Sequence, residues 1–269
     1  MPIIEHPIHI KPEPELVLWR YISIAKYESL LKEGALFFCY ADKFKDPFEC
    51  SIPRLEVDFR LSERKFRAEA ESLNKFDRVF DIEKARLESE IYAGAHQRFK
   101  RATTVNCWHI NNHESNAMWS LYIKNNEGLA IKTTTINLSK SLNEAPEGIG
   151  MSKVRYIDYD NQGWFNEIDY PVRQNNMLIP VVHKRIEFSQ EQELRLYNND
   201  IRREATDFWI NKEPSQGEFI KVDVKELIES IVFHPTSDDS VKQKIKSITE
   251  QYGFDFQFDN SRLSVDPRY

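Results

Sequence analysis

Glycine is scarce in this chain, with 8 among 269 residues. Phosphate-cradling loops bring backbone N–H groups close to a ligand through clustered glycines, and no cluster of that kind is present. The patterns GxGxxG, GxxxxGK[ST], GxSxG and HExxH are all absent. These absences speak against Rossmann enzymes, P-loop ATPases and α/β-hydrolases. Cysteine is equally sparse: Cys39, Cys50 and Cys107 are three in number and form no CxxC pair. An odd count without paired spacing excludes a disulfide framework and a structural zinc site, and leaves reduced, partly buried thiols.

No apolar run approaches the length needed to span a membrane. The opening MPIIEHPIHIKPEPE lacks a basic stretch followed by a continuous apolar one, so it does not read as a secretory signal. A cytoplasmic location follows by elimination. An excess of basic residues is also missing. The net charge is -6 and the pI about 5.7, so the chain as a whole should not attract nucleic acid, although a local basic groove stays open.

Hydrophobic residues make up 41% and aromatic residues 12% of the chain, enough for a sizeable core. Residues 1–15 are rich in proline and read as an extended arm, and residues 16–269 read as one domain. Leu16 to Ile22 is an apolar, aromatic strand. Ser23 caps a short helix carrying Ile24, Tyr27, Leu30 and Leu31 on one face, and Gly34 ends it. Ala35–Tyr40 is a second strand, followed by a turn at Phe44–Glu49. Residues 56–101 are rich in Glu, Arg, Lys and Ala and predict a helical insertion with a solvated face. Further strands are predicted at 103–109, 128–134, 153–159, 219–224, 230–233 and 254–258, the last from alternating Phe254, Phe256 and Phe258. Helices are predicted at 115–122 and 237–252, and residues 184–197 end in a Glu-rich strand. Strands and helices do not alternate regularly, so the fold class is α+β, with a central mixed or antiparallel sheet and flanking helices.

The densest chemistry lies in Glu191-Gln192-Glu193-Leu194-Arg195. On a strand, Gln192, Leu194 and Leu196 share one face, and Glu191, Glu193, Arg195 and Tyr197 share the other. Two carboxylates that close raise one pKa and are best tolerated beside a cation or a ligand. Arg20 interrupts the apolar stripe of Leu16, Leu18 and Ile22, and a buried arginine needs a carboxylate or an anionic ligand. Glu191 or Glu193 is the expected partner. A structural ion-pair network explains the same residues equally well. His109 and His113 have i, i+4 spacing but fall in an apparent loop with no third ligand, so no metal is expected.

Several blocks read together. They are Leu18-Trp19-Arg20-Tyr21, Phe44–Glu49, Asn116–Tyr122 with its Met-Trp-x-x-Tyr pattern, Gly128–Ile131, Val154-Arg155-Tyr156, and Lys184-Arg185 with the Glu-x-Glu-x-Arg of Glu191–Arg195. In this order, over roughly residues 16–235, they resemble a widespread bacterial family described only as a domain of unknown function, DUF2971. The order of Arg20, Ser115 or Ser120, and Glu191 with Glu193 also resembles the ADP-ribosyltransferase-like fold, though the Ser-Thr-Ser strand motif of that fold is absent. The second resemblance implies an NAD-using glycosyl transfer or hydrolysis, in phage defence or as a toxin. Glu193 and Glu191 are then catalytic, and Arg20, Tyr21, Ser115, Trp119, Tyr122 and Arg195 bind NAD as co-substrate, with the acceptor open. The other class that stays open is a non-catalytic ligand- or partner-binding domain whose Glu and Arg are structural. A nuclease is disfavoured by the acidic charge and the lack of a metal cluster.

Overall fold

The computed structural model describes residues 3–55, 57–58, 62, 94–145, 148–163, 177–204, 215–265 and 267. Among them the chain builds one mixed sheet of ten strands. Its main path runs β1 (Ile3–Ile4), β6 (Ile149–Lys153), β9 (Glu193–Asn199), β4 (Thr103–Ile110), β2 (Val17–Ser23), β5 (Gly128–Thr134), β11 (Ser230–Phe233) and β12 (Gln257–Asn260). The β1–β6 and β11–β12 pairs are parallel and the other pairs along this path are antiparallel. A branch leaves β4 through β3 (Ala35–Tyr40) to β10 (Gly217–Lys221). A separate parallel ribbon pairs β7 (Arg155–Ile157) with β8 (His183–Arg185). The α+β class predicted from the sequence is the one observed.

Among the described residues, helices α1 (Ile24–Glu33), α2 (Asn116–Tyr122), α3 (Thr135–Ser141), α4 (Val224–Leu227) and α5 (Asp239–Gln251) accompany the sheet. α1 starts where the Ser23 hydroxyl accepts from Lys26 N–H, and stops at Gly34, whose φ of 53° is the left-handed conformation that a residue with a Cβ resists. Its buried Tyr27, Leu30 and Leu31 join Leu18, Ile22, Trp108, Ile131, Leu194, Leu196 and Ile245 in the largest apolar cluster, on one face of the sheet. The opposite face carries two smaller clusters. Trp19, Tyr21, Met118, Trp119 and Ala130 lie under α2, and Ile8, Val105, Ile157, Val181 and Tyr197 lie under the ribbon and the arm. The central strand β9 is therefore covered on both faces, and its Glu-Arg face is buried. Gly150 sits opposite Tyr197, where an added Cβ would lie 2.2 Å from the ring, so only glycine admits that side chain.

Several boundaries differ from the sequence reading. The strand expected at 153–159 is two, because at Val154 the chain leaves the main sheet; its N–H still reaches the Glu193 carbonyl at 2.9 Å. The stretch 184–197 is β8, a 3-10 turn at Ile186–Glu191, and then β9, broken by Gln192 with a φ of 40°. The strand expected at 219–224 runs Gly217–Lys221, and the short helix α4 follows it. Of Phe254, Phe256 and Phe258, only the last is in a strand, while the other two stack at 5.2 Å. The arm supplies β1 and bridges Ile10 to Lys153. Most of the helical insertion expected over 56–101 lies outside the described residues, and residues 94–102 are helical.

Candidate functional site: a buried carboxylate cluster and a notch in the sheet

β9 sends Glu193 and Arg195 toward the ribbon, while Leu194 and Leu196 enter the main core. β7 and β8 cross above, with Tyr156 and Lys184 as register partners. Both reach Glu193: its backbone N–H donates to the Tyr156 hydroxyl at 2.9 Å, and Lys184 Nζ donates to Glu193 Oε1 at 2.9 Å. Lys184 also donates to Glu191 Oε2 at 2.6 Å and lies 3.5 Å from Glu49 Oε2. Arg195 donates through Nε to Glu193 Oε2 at 2.6 Å, to the Val181 carbonyl at 2.8 Å, and to Glu49 Oε1 at 2.5 Å. None of Glu49, Lys184, Glu191, Glu193 and Arg195 is more than 7% exposed.

Glu191 and Glu193 thus converge, but not by strand alternation as predicted. Glu191 ends the 3-10 turn, and the left-handed Gln192 swings it back toward Lys184. With all five groups ionised the cluster holds three carboxylates against two cations, and one proton makes it neutral. The electrostatics place that proton on Glu191. Burial first, and the adjacent Glu193 carboxylate second, push its pKa up to about 7 despite Lys184. Burial also works against the Glu193 anion, yet Arg195, then a hydrogen bond from Glu191, and then Lys184 hold its pKa well below the usual carboxylate range.

The cluster has an open side. Tyr122, at the end of α2, is 49% exposed, and its hydroxyl pKa is raised by burial and then by Glu191 and Glu193. Cys107 on β4 is partly exposed, and burial followed by Glu193 raises its thiol pKa well above the usual range. His109, the register partner of Glu193, donates from Nδ1 to the Glu191 carbonyl at 2.7 Å and accepts at Nε2 from Asn111 at 3.4 Å. Burial lowers its pKa, so it is neutral. A pocket of about 320 Å³ opens elsewhere, between the arm and α3, lined by Ile3, Ile4, Pro12, Ile136 and Met151.

Arg20 does not join the cluster. Among the described residues it pairs with neither glutamate; their cations are Lys184 and Arg195. The expected ion pair is replaced because β2 pairs with β4 only at Leu18–Ile110 and Trp19–His109 and then peels away. β3 meets the same edge of β4 further along, at Cys39–Val105 and Tyr40–Thr104. Residues 106–108 face the notch between them. Arg20 lies there, its guanidinium 5.5 Å from the centre of the Trp108 ring. Burial pulls its pKa down to about 10, and its electrostatic neighbours are Cys107 and Tyr122.

The remaining predicted residues have local duties. Ser115 caps α2 by accepting from Met118 N–H, and its own N–H donates to the Tyr21 hydroxyl at 2.7 Å. Trp119 is buried edge-on against Tyr21, and its indole N–H donates to Glu114 at 2.9 Å. Of the aromatics named from the sequence, Tyr122 alone keeps an open ring. Sequence reasoning missed Glu49, Lys184 and Tyr156 as site residues. All three lie inside blocks it had singled out, but no spacing rule joins residues 49, 156 and 184 before the chain is folded.

Residues 118–196 match the family model described as Protein of unknown function (DUF2971). The match carries the Met-Trp-x-x-Tyr and Glu-x-Glu-x-Arg blocks, and with them most of the cluster: Tyr122, Tyr156, Lys184, Glu191, Glu193 and Arg195 all lie within the DUF2971 segment, while Arg20 and Glu49 lie before it. No curated protein and no solved structure matches the chain, and the ADP-ribosyltransferase-like resemblance gains no support from either comparison. Among the described residues no helix is long and apolar enough to cross a membrane, and no group of three His, Cys, Asp or Glu residues is placed to hold a metal.

Proposed function

We propose that the chain is an NAD-using glycosyl-transfer enzyme in which Glu191 is the group that takes up a proton and Glu193 is the fixed anion beside it. The observation behind this reading is the carboxyl pair bridged by Lys184, at 2.6 and 2.9 Å, in surroundings that drive the two acidities apart. Pairs of titratable groups separated in this way mark acid and base in carboxylate chemistry. In the reaction, the bond between ribose C1′ and nicotinamide nitrogen breaks and its electron pair leaves with nicotinamide. An acceptor hydroxyl or water forms the new bond to C1′ and gives its proton to Glu191 in its ionised form, which a pKa near 7 keeps available at neutral pH. Glu193 has both oxygens occupied, so it does not touch the sugar; its negative field favours the cationic sugar and keeps Glu191 basic enough to accept. The open ring of Tyr122 offers a stacking surface for nicotinamide. Phage defence or toxicity is the setting that the ADP-ribosyltransferase-like resemblance implies.

The test is release of free nicotinamide from NAD, followed by chromatography, together with a thermal melt with and without NAD. Wild type should release nicotinamide and melt higher with NAD. No release and no change in melting would end the enzyme reading. The second reading, a ligand- or partner-binding domain with a structural network, would then stand; in its favour, Lys184 and Arg195 already satisfy all three buried carboxylates.

A further inference from the structure

We propose that the notch between β2 and β3 binds an oxyanion that also carries a hydroxyl, of the phosphate or phosphate-monoester class, with Arg20 as its cation. Three polar groups meet the notch with their bonding capacity unused. Arg20 stacks on Trp108 and has no ion pair or hydrogen bond among the described residues. A partly buried guanidinium without an anion is costly, and the three carboxylates of the neighbouring cluster are spent on Lys184 and Arg195. Trp108, 1% exposed, keeps its indole N–H without an acceptor. Asn106, also 1% exposed and two residues away on the same side of β4, donates through Nδ2 to the Phe37 carbonyl at 2.9 Å, while its Oδ1 has no donor.

The set selects a ligand. Arg20 and Trp108 supply donors and positive charge, which calls for an oxyanion. Asn106 Oδ1 supplies an acceptor, which calls for a hydroxyl on or beside that anion. Monohydrogen phosphate and a phosphate monoester with a neighbouring sugar hydroxyl satisfy both demands, whereas sulfate has no proton to give at neutral pH. Phosphate binding at the notch does not rest on the glycosyl-transfer reading and can hold where that reading fails.

The experiment is a series of thermal melts of the full chain at matched ionic strength, with inorganic phosphate, sulfate or adenosine monophosphate. Melting of the wild type should rise with phosphate more than with sulfate. A larger rise with adenosine monophosphate than with phosphate assigns the anion to a nucleotide, and an equal rise assigns it to the free ion. Arg20→Met should abolish the rise, and Trp108→Phe, which removes only the indole N–H, should weaken it. Should Arg20→Met not fold, Arg20→Lys keeps the charge without the planar fork and should raise the phosphate concentration for half the effect by about tenfold. No rise in wild type, or the same rise in the Arg20 variant, overturns the proposal. An equal response to sulfate overturns the part given to Asn106.

Discussion

Two arginines on strands that flank β4 meet opposite fates. Arg195, on β9, is wholly buried and surrounded by Glu49, Glu193 and the Val181 carbonyl. Among the described residues Arg20, on β2, keeps only the Trp108 ring. The sheet itself makes the difference. β9 follows β4 in register from Thr103–Asn199 to His109–Glu193, so its side chains are delivered to a fixed place under the ribbon. β2 leaves β4 after two register pairs, so its next side chain enters a gap. Regular pairing yields a network that completes itself, and broken pairing leaves polar groups that call for something from outside. The first serves stability and sets acidity, and the second is what the phosphate proposal rests on.

The comparison is broken most directly at Arg195. Arg195→Met leaves Glu49 and Glu193 with Lys184 alone, and removing one partner of a buried ion pair costs about 3–5 kcal/mol. Urea unfolding at pH 7 measures it. A loss below about 1 kcal/mol would mean that the cluster relaxes or hydrates freely, and its asymmetry of acidity would lose its physical basis. Next in size is Glu191→Gln. It keeps the shape and the Lys184 contact but has no carboxylate to take up the acceptor's proton, so nicotinamide release should fall at least about a hundredfold while the fold persists. Equal activity in the variant and wild type would remove Glu191 from the chemistry.

The same substitution has a pH signature. The folded pKa of Glu191 is near 7, above its ordinary value of 4.5. Between these values the folded state holds a proton that the unfolded state releases. Stability from this group is therefore fully present below about pH 4.5 and is lost as pH rises through 7. Its slope approaches about 1.4 kcal/mol per pH unit for one whole proton. Glu193, whose folded pKa is depressed, contributes in the opposite sense: its stability is present above the ordinary carboxylate pKa and disappears in strong acid. Urea midpoints from pH 5 to 8 should fall more steeply for wild type than for Glu191→Gln. Parallel curves would show that Glu191 has an ordinary acidity.

Much of this contrast was legible before folding. The apolar pattern of Leu18, Ile22, Tyr27 and Leu31 announces β2 and α1, and Ser23 and Gly34 mark the helix ends by cap chemistry that is local in sequence. Arg20 within the apolar stripe of β2 marked a charge that the strand pattern does not explain. What the pattern did not contain was which carboxylates would be free to meet it. That depends on Glu49, Lys184 and Tyr156, brought together by a ribbon whose two strands lie far apart in sequence. The left-handed Gln192 was also hidden, because nothing in Glu-Gln-Glu distinguishes a continuous strand from a turn that ends in one. Tyr21, Ser115 and Trp119 satisfy capping and packing needs, which their residue types allowed from the start.

The smallest expected effect is on the other arginine, and it sharpens the comparison. Without added phosphate, Arg20→Met removes a cation that forms no ion pair among the described residues and stacks on one ring. The lost cation–π attraction is about 0.5–2 kcal/mol. Against it stands the relief of the desolvation that already pulls the Arg20 pKa down to about 10. The two oppose each other, and an unbranched apolar methionine can still cover Trp108. Stability should therefore stay within about 1 kcal/mol of wild type, far from the loss expected at Arg195, although both residues are arginines on adjoining parts of one sheet. A loss as large as that at Arg195, measured by the same urea unfolding, would mean that Arg20 is held by a structural partner, and the division between a self-completed cluster and an open notch would fail.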